Sequence, residues 1–381
     1  MKVTDIRANK IKNSRGEPTI QVVVNKVGKG SAPSGASKGR FEAVDYPKGI
    51  DYAINLINKT VSKSLGGFEF NGFSDLKKAE RKLPKNLGAN PTIALEFALL
   101  NALAADKNKP LWHILNPDAR KMPRILANVI GGGAHISKKA RTLDIQEVLI
   151  SPNTNSVEND VHATSDFYSD LGIVLRAKKQ TDEGAWVPLN CIEDVLEIVL
   201  KVIGYEKGID VAASQLYKNG KYHWARLWGC KPEVVDKKKQ IDIITSIARE
   251  YNLFYVEDPL NQNDFEGFAE LKKRLPLAMI CGDDLTATNL GRLKKAVKMK
   301  SISAVIIKPN QCGSLVKAKE VFDYAVKHKI TPIISHRSGE TTDATIAHIA
   351  FAWQAPFVKF GIAQKERMAK LNELMKIEKS L

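Results

Sequence analysis

"LFYVEDP" (residues 253–259) decides how the chain is read. Four apolar or aromatic residues run to Val256, then stop abruptly at Glu257, Asp258 and Pro259. The same phrase returns as "GIDVAAS" (208–214), "LAMICGDD" (277–284), "SAVIIKPN" (303–310), "TPIISHRS" (331–338) and "PFVKFG" (356–361). A short unbroken apolar run is what a parallel strand buried on both faces requires. Each run closes on one polar residue: Asp210, Glu257, Asp283, Lys308, His336 and Lys359. From Glu257 onward these recur about every 25 residues, the length of a strand, a loop, a helix and a return loop. Helix-like stretches such as "QIDIITSIAREY", "NLGRLKKAVKM" and "LVKAKEVFDYAVKHK" fill the intervals. The pattern predicts a TIM-like β/α barrel over residues 123–381. In such barrels the chemistry sits at the C-terminal ends of the strands, so the polar terminators form one candidate site.

Residues 1–122 differ in texture and read as a smaller N-terminal α+β domain. "TDIRANKIKNSRGEPTIQVVVNKVGKG" is a hairpin pattern around the turn Asn13–Pro18. The Gly/Ser-rich "GSAPSGASKG" follows, then helical stretches at 49–65, 74–83 and 91–108, the last with Asn90 as N-cap and Pro91 at the first turn.

At 381 residues the chain is long for one core, in keeping with two domains. Hydrophobic content of 44% and charged content of 26% describe an ordinary soluble protein. No apolar stretch approaches the roughly 20 residues that cross a bilayer, and the N-terminus lacks a signal-peptide core, so a cytoplasmic location without membrane insertion is expected. The four cysteines are scattered, with no CxxC pair, and read as reduced packing residues. The net charge of +16 admits nucleic acid, an acidic membrane surface or an anionic substrate as partners. The lysines are dispersed, without a nucleic-acid-binding motif, so specific nucleic-acid binding is not expected.

Asp210, Glu257 and Asp283 at adjacent strand tips put three like charges into one cavity, where each raises the pKa of the others. A divalent cation resolves this, and an all-oxygen set suits Mg²⁺ or Mn²⁺. Lys308, ending "AVIIK", would alone read as an end-cap. Beside three metal carboxylates it reads as a proton-transfer group of lowered pKa. Arg337 and Ser338 offer a fork and a hydroxyl for a phosphate or carboxylate, and Lys359 adds a second cation. A metal, a base and several cations suit proton abstraction next to a carboxylate, with the resulting dianion stabilised by metal.

At this point the chain resembles the enolase family. The resemblance runs nearly end to end: "NSRGEPT" (13–19), "PSGASKG" (33–39), "LGAN" (87–90), "NVIGGGAH" (128–135), "QEVLISP" (146–152), "DEG" (182–184), "VEDP" (256–259), "GDDLTATN" (282–289), "IKPNQCGSL" (307–315), "SHRSGETTD" (335–343), "KFG" (359–361) and "ERMAKLNELMKIEKSL" (366–381). It implies Mg²⁺-dependent, reversible dehydration of 2-phosphoglycerate to phosphoenolpyruvate, with two Mg²⁺ per site. Asp210, Glu257 and Asp283 would bind one metal, and Ser37 the second. Lys308 would be the base at C2. Glu183, with Glu147 beside it, would protonate the leaving hydroxyl. Arg337 and Ser338 would hold phosphate, Lys359 the carboxylate, and His336, His135 and Gln146 would line the pocket. A homodimer or larger homo-oligomer is implied as well.

The sequence departs from the family pattern at Lys38, Gly131, Thr181, Ala185 and Gln364, all outside the residues expected to bind metal or move protons. Two further readings stay open on sequence: an enolase-like paralogue acting on another phosphorylated acid, and a non-catalytic binder using the basic surface.

Overall fold

A computed structural model describes residues 1–35, 39–133, 143–188, 192–227 and 231–381. Ser37, Lys38 and His135 lie outside the described residues, as do Cys191 and Cys230. The N-terminal part holds an antiparallel meander of β1 (Ile6–Lys12), β2 (Pro18–Val24) and β3 (Gly28–Ser31). Asn13 closes its first turn, its Oδ1 accepting from the N–H groups of Arg15 (2.9 Å) and Glu17 (3.0 Å). The helix Ala89–Lys107 lies directly on β3. A Cβ at Gly28 would come within 2.3 Å of the backbone of Ala98 and Ala102, so only glycine allows this approach. The helix starts at Ala89 behind Gly88, not at Asn90. Asn90 is buried instead, its Oδ1 facing the Asn310 amide at 3.4 Å, so it serves the contact with the barrel rather than the cap.

The second part is a closed eight-stranded barrel. Its strands are β4 (Arg124–Gly131), β5 (Glu147–Pro152), β6 (Tyr205–Asp210), β10 (Tyr255–Glu257), β11 (Met279–Gly282), β12 (Ala304–Ile307), β13 (Thr331–Ser335) and β14 (Phe357–Lys359). Between β6 and β10 a small antiparallel sheet intervenes: β7 (Tyr217–Lys218), β8 (Lys221–Leu227) and β9 (Lys231–Val235). The barrel is not uniformly parallel. β5 runs antiparallel to both β4 and β6, whereas repetition of the apolar runs predicts parallel strands throughout. The reversal carries the first residue of β5, not its last, to the mouth, where Glu147 pairs with Asp210.

Strand parity then aims the chemistry. Leu126, Leu149, Tyr255, Cys281, Ala304, Ile306, Ile333 and Phe357 form the barrel's inner core, while their strand neighbours Val256, Ile280, Val305, Ile307, Ile334 and Val358 pack outward with the helices. Side chains alternate with period two. Two residues beyond an inward core residue therefore lies another inward one: Glu257 after Tyr255, Asp283 after Cys281, Lys308 after Ile306, Lys359 after Phe357, Asn128 after Leu126. On reversed β5, Glu147 precedes Leu149 by the same two steps.

Candidate active site

Lys359 is the centre of the mouth. It is 2% exposed, and its Nζ lies 2.6 Å from Glu147 Oε2, 2.7 Å from Glu257 Oε2 and 3.2 Å from Asp210 Oδ2. Those carboxylates raise the Lys359 pKa against the lowering effect of burial. Burial comes first among the causes that push Asp210 up to about 6 and Glu257 to about 7, and neighbouring carboxylates add to it. Tyr255 donates its hydroxyl to Glu257 Oε2 at 2.5 Å.

Glu147, Asp210 and Glu257 each offer a carboxylate oxygen within 4.8 Å of one another. Glu257 Oε1 is buried with no hydrogen-bond partner among the described residues, which leaves an acceptor for a cation. Three oxygen donors with surplus negative charge fit Mg²⁺ or Mn²⁺. Asp283, expected to complete a trio with Asp210 and Glu257, lines the same cavity, but both of its oxygens accept hydrogen bonds from neighbours. Lys308 Nζ donates to its Oδ2 at 2.5 Å and Gln311 Nε2 to its Oδ1 at 3.0 Å.

That pair decides the charge of Lys308. A base of lowered pKa is the expectation from sequence, but here the pKa is raised: burial lowers it, and the adjacent Asp283 carboxylate outweighs burial. The same contact holds Asp283 below its ordinary value against burial. Asp258, in left-handed backbone (φ 40°), receives the N–H groups of Asp283 (3.2 Å) and Asp284 (2.6 Å) and so anchors that strand tip.

Across β13 and β14 from Lys308 lies Glu183. It sits in a tight turn stitched by Thr181, whose N–H donates to the Ala185 carbonyl at 2.8 Å and whose carbonyl accepts from Gly184 at 3.0 Å. His336 Nε2 stands 3.5 Å from Glu183 Oε2, and Asn128 Nδ2 3.4 Å from the same oxygen. Gly361 N–H donates to His336 Nδ1 at 3.2 Å, which leaves the ring proton on Nε2, facing Glu183. Burial lowers the His336 pKa despite Glu183, so the ring is neutral at pH 7. By strand parity Ser335, not His336, is the inward residue of β13; His336 reaches Glu183 from beyond the strand end.

Two departures from the family pattern explain each other. A Cβ at Gly131 would lie 2.4 Å from the Thr181 methyl, so glycine at 131 makes room for threonine at 181. Gln364 packs on the same turn, with a Cβ at Gly184 falling 3.2 Å from its Cγ.

Arg337 donates from Nη1 to Glu42 Oε2 at 2.8 Å and to Asn310 Oδ1 at 3.3 Å. Its loop is held from both domains. Arg367 Nη2 donates to the Ser338 carbonyl at 2.6 Å, Ser14 Oγ donates to the same carbonyl at 3.2 Å, and Gly339 exchanges backbone hydrogen bonds with Ser34. Gln146 Nε2 reaches Asp210 Oδ2 at 3.4 Å. One cavity is lined by Glu147, Glu183, Asp210, Asp283, Lys308, His336, Arg337, Ser338, Lys359 and Gln146; Glu257 sits beneath it. Sequence reasoning overlooked Glu42, Asn128, Asp258 and Gln311. Gln311 lies within the quoted "IKPNQCGSL", Asp258 within "VEDP" and Asn128 at the head of "NVIGGGAH", while Glu42 carries no signal that sets it apart.

A β/α barrel whose mouth combines clustered carboxylates, buried lysines and an acid–imidazole pair belongs to the class of barrel enzymes that do proton chemistry on anionic substrates. Comparison with known proteins narrows this. Residues 119–381 match the model for the enolase C-terminal TIM barrel domain, and residues 3–115 that for the enolase N-terminal domain. Enolase from Natronomonas pharaonis is 37% identical over 99% of this chain and 98% of its own length. Enolases from Methanothermobacter thermautotrophicus (36%; 100% and 97%) and Thermoplasma acidophilum (35%; 100% and 98%) are similar throughout as well. The chain belongs to the enolase family, and its activity is that of a hydro-lyase, phosphopyruvate hydratase.

Proposed function

We propose that this chain interconverts 2-phosphoglycerate and phosphoenolpyruvate with Mg²⁺, in glycolysis and gluconeogenesis. The observation that carries the assignment of roles is the separation, across β13 and β14, of a lysine from an acid–imidazole pair, with carboxylates and cations between them. Lys308 removes the C2 proton. Glu183, steadied by neutral His336 and by Asn128, protonates the departing C3 hydroxyl. Arg337 and Ser338 take the phosphate and Lys359 the substrate carboxylate, with Gln146 and Glu147 beside them. Asp210, Glu257 and Asp283 would hold one Mg²⁺, with Asp283 shared with Lys308, and Ser37, outside the described residues, would bind a second. Bound there, Mg²⁺ supplies positive charge that offsets the dianion formed when C2 is deprotonated. Asp283 has two claims on it, and a carboxylate shared with a cation holds the Lys308 ammonium charged less strongly.

We place the domain boundary at 122/123. Among the described residues no helix is long and apolar enough to cross a membrane. A cytoplasmic homodimer or larger homo-oligomer is the state we propose, on the family resemblance.

Purified protein mixed with 2-phosphoglycerate and Mg²⁺ should generate the ultraviolet absorbance of phosphoenolpyruvate, and EDTA should abolish the rise. A flat trace with Mg²⁺ present would overturn the assignment. Carboxylates with pKa values of about 6 and about 7 must shed protons to bind metal. The Mg²⁺ concentration for half-maximal rate should therefore hold steady above pH 8 and rise by about tenfold or more per pH unit below pH 6. A Mg²⁺ requirement that stays level down to pH 5 would contradict this.

Arg337→Ala is expected to raise KM for 2-phosphoglycerate by roughly 10²-fold, the scale of a lost charge-assisted bidentate contact. Steady-state kinetics with an unchanged KM would remove Arg337 from the phosphate site.

A further inference from the structure

Arg337 is already paired. Its side chain and that of Glu42 are 5% and 6% exposed, and Arg337 Nη1 meets Glu42 Oε2 at 2.8 Å. The other Glu42 oxygen is also engaged, Oε1 accepting the Gly39 N–H at 3.0 Å. The backbone beside it is docked, since Ala43 N–H donates to the Gln311 carbonyl at 2.7 Å.

A buried guanidinium needs a counter-charge, and Glu42 supplies it while no substrate is bound. A phosphate dianion approaching the same guanidinium arrives beside a fixed carboxylate. Orientation of the fork by Glu42 favours phosphate; repulsion between Glu42 and the dianion opposes it. At separations of a few ångströms in a site with little water, the Coulomb effect is the larger of the two.

We infer that Glu42 is a resident counter-anion for Arg337, a positioning residue whose carboxylate the substrate phosphate displaces. This rests on the reading that Arg337 binds phosphate. Displacement also frees the Gly39 N–H, so phosphate binding is passed to the 39–43 segment. Glu42 keeps the guanidinium compensated between turnovers and holds phosphate affinity below what Arg337 alone would give.

The test is titration calorimetry of the Mg²⁺-loaded protein with inorganic phosphate at pH 8, comparing the native chain, Glu42→Gln, Arg337→Ala and the double variant. Glu42→Gln keeps an amide oxygen able to accept from Gly39, so the fold of the loop is preserved. Expected is phosphate binding about tenfold tighter in Glu42→Gln, loss of binding in Arg337→Ala, and a double variant indistinguishable from Arg337→Ala. A merely structural role for Glu42 would weaken binding, so unchanged or weaker affinity in Glu42→Gln overturns the inference. Tightening that persists in the double variant overturns it too, because the effect would then not pass through Arg337. Phosphate binding unaffected by Arg337→Ala would instead strike the phosphate assignment itself.

Discussion

Lys308→Ala is expected to lower kcat by about 10⁴-fold, the upper end of what one positioned acid–base group contributes, while binding of 2-phosphoglycerate stays within a few-fold of native. Such a loss corresponds to about 5.4 kcal/mol of transition-state stabilisation. Lys308 lies two residues beyond the inward Ile306, aimed at the cavity, and pairs with Asp283 at 2.5 Å. Removing the ammonium releases Asp283, which stays available to a cation, so metal and substrate should still assemble. The measurement is a paired one: turnover by phosphoenolpyruvate absorbance, and binding by calorimetry. A variant that retained more than a tenth of its rate would mean that another group removes the proton. A variant that lost binding as steeply as rate would mean that Lys308 holds the substrate rather than reacting with it.

Lys359→Met should cost about 3–5 kcal/mol of stability in the metal-free protein, the usual penalty for removing one partner of a buried charge cluster, and should also abolish turnover. Methionine nearly matches the lysine stem in volume, so packing changes little and the effect is electrostatic. Glu147, Asp210 and Glu257 would be left without the cation that all three contact. Asp210 and Glu257 are already raised in the folded state, to about 6 and about 7, and loss of Lys359 raises them further. A carboxylate whose folded pKa exceeds its unfolded one costs stability while ionised, and this cost fades as pH falls through the folded value. The deficit relative to the native chain should therefore be largest at pH 8 and shrink towards pH 5. Thermal melts without metal at both values would show it, and Mg²⁺ at pH 8 should restore part of the loss. An equal deficit at both pH values would mean that Lys359 stabilises through packing alone.

Much of the barrel is legible in the sequence because a strand buried on both faces has no polar residue until it ends. The tips at Asp210, Glu257, Asp283, Lys308 and Lys359 stand out for that reason. The reversal of β5 is less legible. "QEVLISP" is apolar whichever way it runs, and direction is set by the partner strands on either side. The excursion through β7 and β8 left only Asn219–Gly220, a hairpin dipeptide, among polar and aromatic residues that could equally cover a helix. The Gly131 and Thr181 departures each look like erosion of a pattern. Only their spatial contact shows that one accommodates the other.

The sequence by itself determined the order of the strand tips around the mouth, which of them apart from His336 face inward, and the family to which they belong. These follow from local rules, a two-residue alternation and motifs read in order along the chain. The tertiary structure decided which charges meet: Lys359 among Glu147, Asp210 and Glu257, Asp283 with Lys308 instead of the other two expected ligands, and Arg337 with Glu42 from the other domain. Those pairings join residues far apart in the chain, and their strength depends on the exclusion of water. Closing the barrel and docking the N-terminal domain create both conditions.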